Sequence, residues 1–202
     1  MYRLIASKDG PTKLFVGGLH GKEGIYTAPI LETLATEAIH SGVAIIVPRL
    51  VENSKYIGVL SEEYYKSEAG MCLIQLIKNN KPSFYFELHA YGEKSYSKLT
   101  DPEREEKIGV PPFVDLGKGI LIGSIAPLLR RKFTKNDFCV TLEIPNWKSD
   151  KVREVVLQLL RLALSKATSE DIMLMLRMWY PAQIKKAEVL FRQYYRKRLK
   201  PF

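Results

Sequence analysis

Polar and apolar positions alternate over residues 1–7 (MYRLIAS), the two-residue period of a half-buried strand. SKDGPT follows, and its Asp-Gly-Pro content predicts a turn. A second short strand is predicted at 13–16, ending in Gly17-Gly18. Ile30, Leu31, Leu34, Ala35, Ala38 and Ile39 then recur at helical spacing, which predicts a helix over 27–39. Thr27 is placed to cap it, with Pro29 in its first turn, and Ser41-Gly42 stops it. VAIIVP (43–48) is a continuous apolar run of the buried-strand kind. Further on, the pattern predicts a helix over 61–78, a buried strand at 83–89, and strands at 119–124 and 138–144. Residues 91–118, rich in Gly, Pro and charge, read as a long loop of the sort that walls an active site. Helices are predicted over 150–166, 169–179 and 182–198.

Strands alternating with helices predict a single α/β domain: a mostly parallel mixed sheet flanked by helices, with a helical C-terminal segment (149–202) packed on it. The 202 residues suffice for one substantial core, and 46% hydrophobic with 26% charged residues fits a soluble globular chain. No apolar run approaches the roughly 20 residues of a membrane span, and the start lacks a signal-peptide core. Cys72 and Cys139 both lie in apolar segments and are expected to be reduced core residues, consistent with a cytoplasmic protein.

Candidate chemistry gathers at predicted strand ends, where α/β sheets collect their ligands. FVGGLHGKEG places His20 and Glu23 in glycine-rich backbone after the strand at 13–16. SFYFELH ends in His89, and its period puts Tyr85, Glu87 and His89 on one face. FCVTLEI likewise puts Thr141 and Glu143 on one face. Two His and one Glu are a ligand set that catalytic zinc uses, leaving a position for water. A carboxylate that does not bind the ion, here Glu143, can act as general base toward that metal-bound water. An H-x-x-E pair alone is weak. Taken singly, His20 and Glu23 also fit a polar turn, His89 a hydrogen-bonded structural histidine, and Glu143 a carboxylate paired with a lysine.

The conjunction of GGLHGKE, FELHAY and VTLEIP resembles the zinc carboxypeptidase-like superfamily, and is nearest its succinylglutamate desuccinylase and aspartoacylase branch. That resemblance covers roughly residues 13–144 and is specific only in the short motifs. It implies one zinc ion per chain held by His20, Glu23 and His89, Glu143 as general base, and a central mixed sheet. The implied activity is amide hydrolysis of a small-molecule or peptide-like substrate. Two departures mark a divergent, archaeal-type member. VLSEEYY (59–65) stands where the branch carries an Asn-Arg pair, and Glu87 stands where an Asp is more common.

With the usual arginine missing, Arg49, Asn53, Arg130 and Arg131 are the candidate substrate-binding residues, each with a solvated-loop alternative. The formal charge of +9 favours anionic partners, so an acidic substrate is expected. Much of the excess sits in KKAEVLFRQYYRKRLKPF, where basic residues mix with Phe191, Tyr194 and Tyr195. The alternative function is therefore a catalytically inactive metal-binding or basic module that binds RNA or an acidic partner through this tail. The basic amphipathic helix is the better reading, its aromatics packed on the core.

Overall fold

The computed structural model describes residues 1–7, 9–52, 55–147 and 150–196. Among them, seven strands form one mixed sheet. They are β1 (Tyr2–Ile5), β2 (Thr12–Gly17), β3 (Val43–Val47), β4 (Phe84–Tyr91), β5 (Val114–Asp115), β6 (Leu121–Gly123) and β7 (Phe138–Pro145). The spatial order is β1-β3-β2-β4-β7-β6-β5. The inner four run parallel, and β1, β6 and β5 add antiparallel margins. From β2 the chain crosses over to β3 on one side, then returns to β4 on the other. The carboxyl ends of β2 and β4 thus flank a switch in strand order, where such sheets open a crevice.

The helices are α1 (Gly24–Leu34), α2 (Glu62–Lys66), α3 (Glu68–Asn80), α4 (Tyr96–Leu99), α5 (Arg104–Ile108), α6 (Pro127–Arg130), α7 (Asp150–Ser165), α8 (Ser169–Trp179) and α9 (Pro181–Tyr194). None is long and apolar enough to cross a membrane.

The two-residue period of the strands sorts the core into two layers. Phe84, Phe86 and Leu88 of β4 pack with Phe15 and with Leu31, Leu160, Leu176 and Phe191 from α1, α7, α8 and α9. Tyr85 of the same strand points the other way, into a layer with Leu14, Leu73, Ile77 and Leu129. Fully burying such side chains stabilises by about 1.5–3 kcal/mol each, so a shift of one residue in β4 would expose one layer and is strongly disfavoured.

Several predicted boundaries move for local reasons. Helix α1 starts at Gly24, not at Thr27, and Thr27 is not its cap. The Thr27 hydroxyl instead accepts a hydrogen bond from Gly18 N (3.0 Å) and donates to Glu23 O (3.2 Å), tying the glycine loop to the helix. The predicted helix over 61–78 is broken at Ser67, whose extended backbone and side-chain bond from Gly70 N begin α3 afresh. Residues 91–118 hold α4, α5 and β5 rather than plain loop, and α6 occupies an apolar stretch with no predicted element. Cys139 is buried as expected, but Cys72 is exposed on the outer side of α3.

Candidate metal centre

The loop after β2 is held from several sides. Gly18 and Gly21 both adopt φ of +58°, a left-handed backbone that costs glycine little. Leu50 N donates to Gly17 O, and the Tyr64 hydroxyl donates to Leu19 O. At Gly17 an added Cβ would stand 2.9 Å from Pro48 O, so only glycine lets the loop pass. His20 therefore leaves β2 pointing inward, and Glu23 sits at the N-terminus of α1, where a carboxylate is electrostatically favoured.

His89 comes from the carboxyl end of the neighbouring strand β4, and the two imidazoles lie 5.2 Å apart between ring centres. Glu23 reaches between them. Its Oε2 is 3.2 Å from His89 Nδ1 and its Oε1 is 3.7 Å from His20 Nδ1. One ligand atom from each of the three residues falls within 4.8 Å of the others. Ligand atoms about 2.1 Å from a tetrahedral zinc are roughly 3.4 Å apart, so the spacing suits one small dication. His20 Nδ1 is also buried and has no hydrogen-bond partner among the described residues, a costly arrangement for a polar atom unless something else receives it. The cluster fits a metal site.

Behind His89 lies Glu87, which is 2% exposed. Its carboxylate accepts from the Tyr85 hydroxyl (2.9 Å) and the Thr141 hydroxyl (2.7 Å), and its Oε1 is 3.6 Å from His89 Nε2. His89 Nε2 makes no hydrogen bond among the described residues, so at that distance Glu87 acts on the ring through its charge.

Glu143 of β7 is the register partner of His89. Burial pushes its pKa up to about 7, against the opposing pull of His89; Glu23 and Glu87 add to the rise. The two histidines are driven apart. Burial, reinforced by His89, lowers His20 to about 4. Burial also opposes charge on His89, but Glu23 and Glu87 overcome it and raise its pKa.

A cavity of about 450 Å³ opens over the cluster. His20, Glu23, His89 and Glu143 line it on one side. Tyr56, set edge-on to His20 at 4.6 Å, lies at the rim. Tyr91, two residues beyond His89 at the end of β4, also lines it, and further lining comes from residues no motif signalled: Arg104 and Phe113 from the segment after β4, Tyr194 at the end of α9 and Tyr195 just past it. The Tyr195 hydroxyl is 3.2 Å from Ser124 Oγ, and the Tyr194 hydroxyl donates to Gly109 O. Phe191 is buried in the core. Lys197 and Arg198 lie outside the described residues.

Of the four candidate substrate-binding residues, the three that the structure describes do not line this cavity. Arg49 lines a separate cavity beyond His20, stacks its stem on Gly18 and Gly24, and donates to Gly24 O. Arg130 is buried and donates to Thr134 O and Asp137 O, bracing the turn before β7. Arg131 is exposed. Asn53 lies outside the described residues.

The sequence profile of a family described as "Uncharacterized protein conserved in archaea (DUF2119)" matches residues 8–196. The chain belongs to this family. A Methanocaldococcus jannaschii relative, described only as an uncharacterized protein, is 46% identical over 189 residues, covering 92% of each chain. Among solved structures, the chain is similar to an aspartoacylase family protein from Mesorhizobium loti, with a TM-score of 0.45 and 17% identity. That similarity covers 78% of this chain and spans 59% of the other's length.

Proposed function

We propose that this archaeal-family protein is a zinc-dependent hydrolase of deacylase or carboxypeptidase type that cleaves an amide bond in a small acidic substrate. One observation carries the reading. One ring nitrogen each from His20 and His89 and a Glu23 carboxylate oxygen lie within 4.8 Å of one another, and Glu143, the register partner of His89, lines the same cavity. The motif resemblance to zinc carboxypeptidase-like enzymes supports it independently.

His20, Glu23 and His89 would hold one zinc ion per chain. When bound, that ion supplies Lewis acidity and lowers the pKa of its water toward about 7. Glu143 takes the proton of the attacking water and delivers it to the leaving amine nitrogen. A carboxyl whose pKa lies near neutrality is suited to do both. Glu87 places its negative charge 3.6 Å behind the far nitrogen of His89. The tyrosine-lined wall excludes bulk water from one side of the reacting bond. The positive net charge favours the encounter with an acidic substrate.

The test is hydrolysis of a panel of N-acyl amino acids and dipeptides by zinc-loaded protein. The expected result is amine release that stops on chelation and returns with zinc. A panel cleaved equally well by zinc-loaded and chelated protein, or cleaved by neither, would contradict the proposal.

A further inference from the structure

Arg104 is the one arginine or lysine lining the cavity that also holds the metal cluster, among the described residues. It opens α5, and only 9% of its surface is exposed. The guanidinium lies over the Phe113 ring at 4.9 Å and donates from one terminal nitrogen to Pro111 O. These contacts fix its plane but do not neutralise it. A buried charge with no counter-charge is costly, and Arg104 forms no ion pair among the described residues. Its acidic neighbours are engaged elsewhere: Asp101 and Glu103 pair with Lys107. Asp115, in the β5–β6 hairpin, is occupied by the Tyr96 hydroxyl and the Gly117 and Gly119 amides.

The geometry points to Arg104 as the specificity-determining residue that receives a carboxylate of the substrate in the cavity facing His20, Glu23 and His89. This inference rests on the amide-hydrolase reading for the identity of the ligand as substrate. The guanidinium remains charged at any working pH and presents a planar fork suited to two parallel bonds to a carboxylate. Arg104 and Glu143 line the same cavity, and the charge of Glu143 opposes the lowering of the Arg104 pKa by burial. A carboxylate docked on Arg104 would supply the direct ion pair it lacks among the described residues and hold the substrate in the cavity. Phe113 and the tyrosines would cover its apolar part.

The experiment separates this inference from catalysis. Chelator-treated protein is titrated by calorimetry with N-acetylglycine and with its neutral isostere N-acetylglycinamide. The acid is expected to bind about tenfold or more tightly than the amide, and Arg104→Gln is expected to erase that preference while leaving the amide unaffected. Arg104→Lys, which keeps the charge and loses the fork, is expected to retain part of it. Equal binding of acid and amide by the parent would overturn the inference without any variant. An acid preference unchanged in Arg104→Gln would assign the anion to another cation and also overturn it. Because no metal or turnover is involved, a failed hydrolysis screen does not decide this outcome, nor does this outcome decide that screen.

Discussion

His89 and Glu143 are register partners across the parallel β4–β7 ladder. Two residues up the same strands, Glu87 faces Thr141 and accepts its hydroxyl proton. The pleat thus stacks an orienting carboxylate, a candidate ligand and a candidate base on one face of two adjacent strands. Moving either strand by one residue would turn its own members of this set into the opposite layer and break the set.

Glu143→Gln is expected to lower amide hydrolysis by about 10²–10⁴-fold with metal content unchanged, as loss of a general base does. In the parent, kcat/KM should fall at acid pH as Glu143 gains its proton, and this limb should vanish in the variant. In metal-free protein the sign of the stability effect is the opposite. The folded-state pKa, about 7, lies above the ordinary carboxylate value of 4.5. The folded state therefore binds more protons than the unfolded one between these values, and stability declines as pH rises through the window. Glu143→Gln should then be more stable than the parent above pH 7, by about 1–3 kcal/mol. Urea unfolding of both chelated proteins at pH 4.5 and 8 checks this.

Glu87→Ala leaves the Tyr85 and Thr141 hydroxyls without their acceptor inside the core. The expected cost is about 1–3 kcal/mol for each hydroxyl left unsatisfied. Zinc affinity should drop by about 10–100-fold through loss of the support behind His89. Competition against a chromophoric chelator measures the affinity, and Glu87→Gln, with its volume kept, should fall between parent and Ala.

How much of this was legible depended on whether a residue sat in a periodic segment. The β4 and β7 motifs could be read because period two decides which side chains share a face, and His20 because glycine on both sides of a histidine is unusual backbone. The start of α1 was misread because Thr27-x-Pro29 imitates a cap and first turn, whereas the Thr27 hydroxyl ties down Gly18. Arg104 was missed for a different reason. DPEREEK looks like a solvated charge run, α5 has five residues, and only the fold brings Phe113 beneath the guanidinium. Tyr194 and Tyr195 reach the cavity through a helix far along the chain, which no local pattern signals.

Gly17→Ala tests the backbone of the ligand loop. The new methyl would meet Thr27 Oγ1 at 2.8 Å, Leu31 Cδ1 at 2.9 Å and Pro48 O at 2.9 Å. Overpacking against two side chains and a carbonyl should destabilise by about 1–3 kcal/mol. The midpoint of urea unfolding should fall with its slope unchanged, and zinc affinity should fall with it.

Lys13 is fully buried on β2, donating to Leu164 O near the end of α7, and burial lowers its pKa from 10.5 to about 8. The unfolded chain binds more protons between pH 8 and 10.5, so Lys13 should make stability rise with pH across that window. The gain is at most about 3 kcal/mol. Lys13→Met removes this rise, and comparing the two proteins at pH 7.5 and 10 isolates it.

The most direct test of the central claim is elemental analysis of untagged protein purified without chelator, beside a His20→Ala/Glu23→Ala variant. One equivalent of zinc per chain in the parent and none in a folded variant is the predicted result. No metal in the parent after incubation with zinc, or equal metal in both proteins, would contradict the assignment of His20, Glu23 and His89 as its ligands.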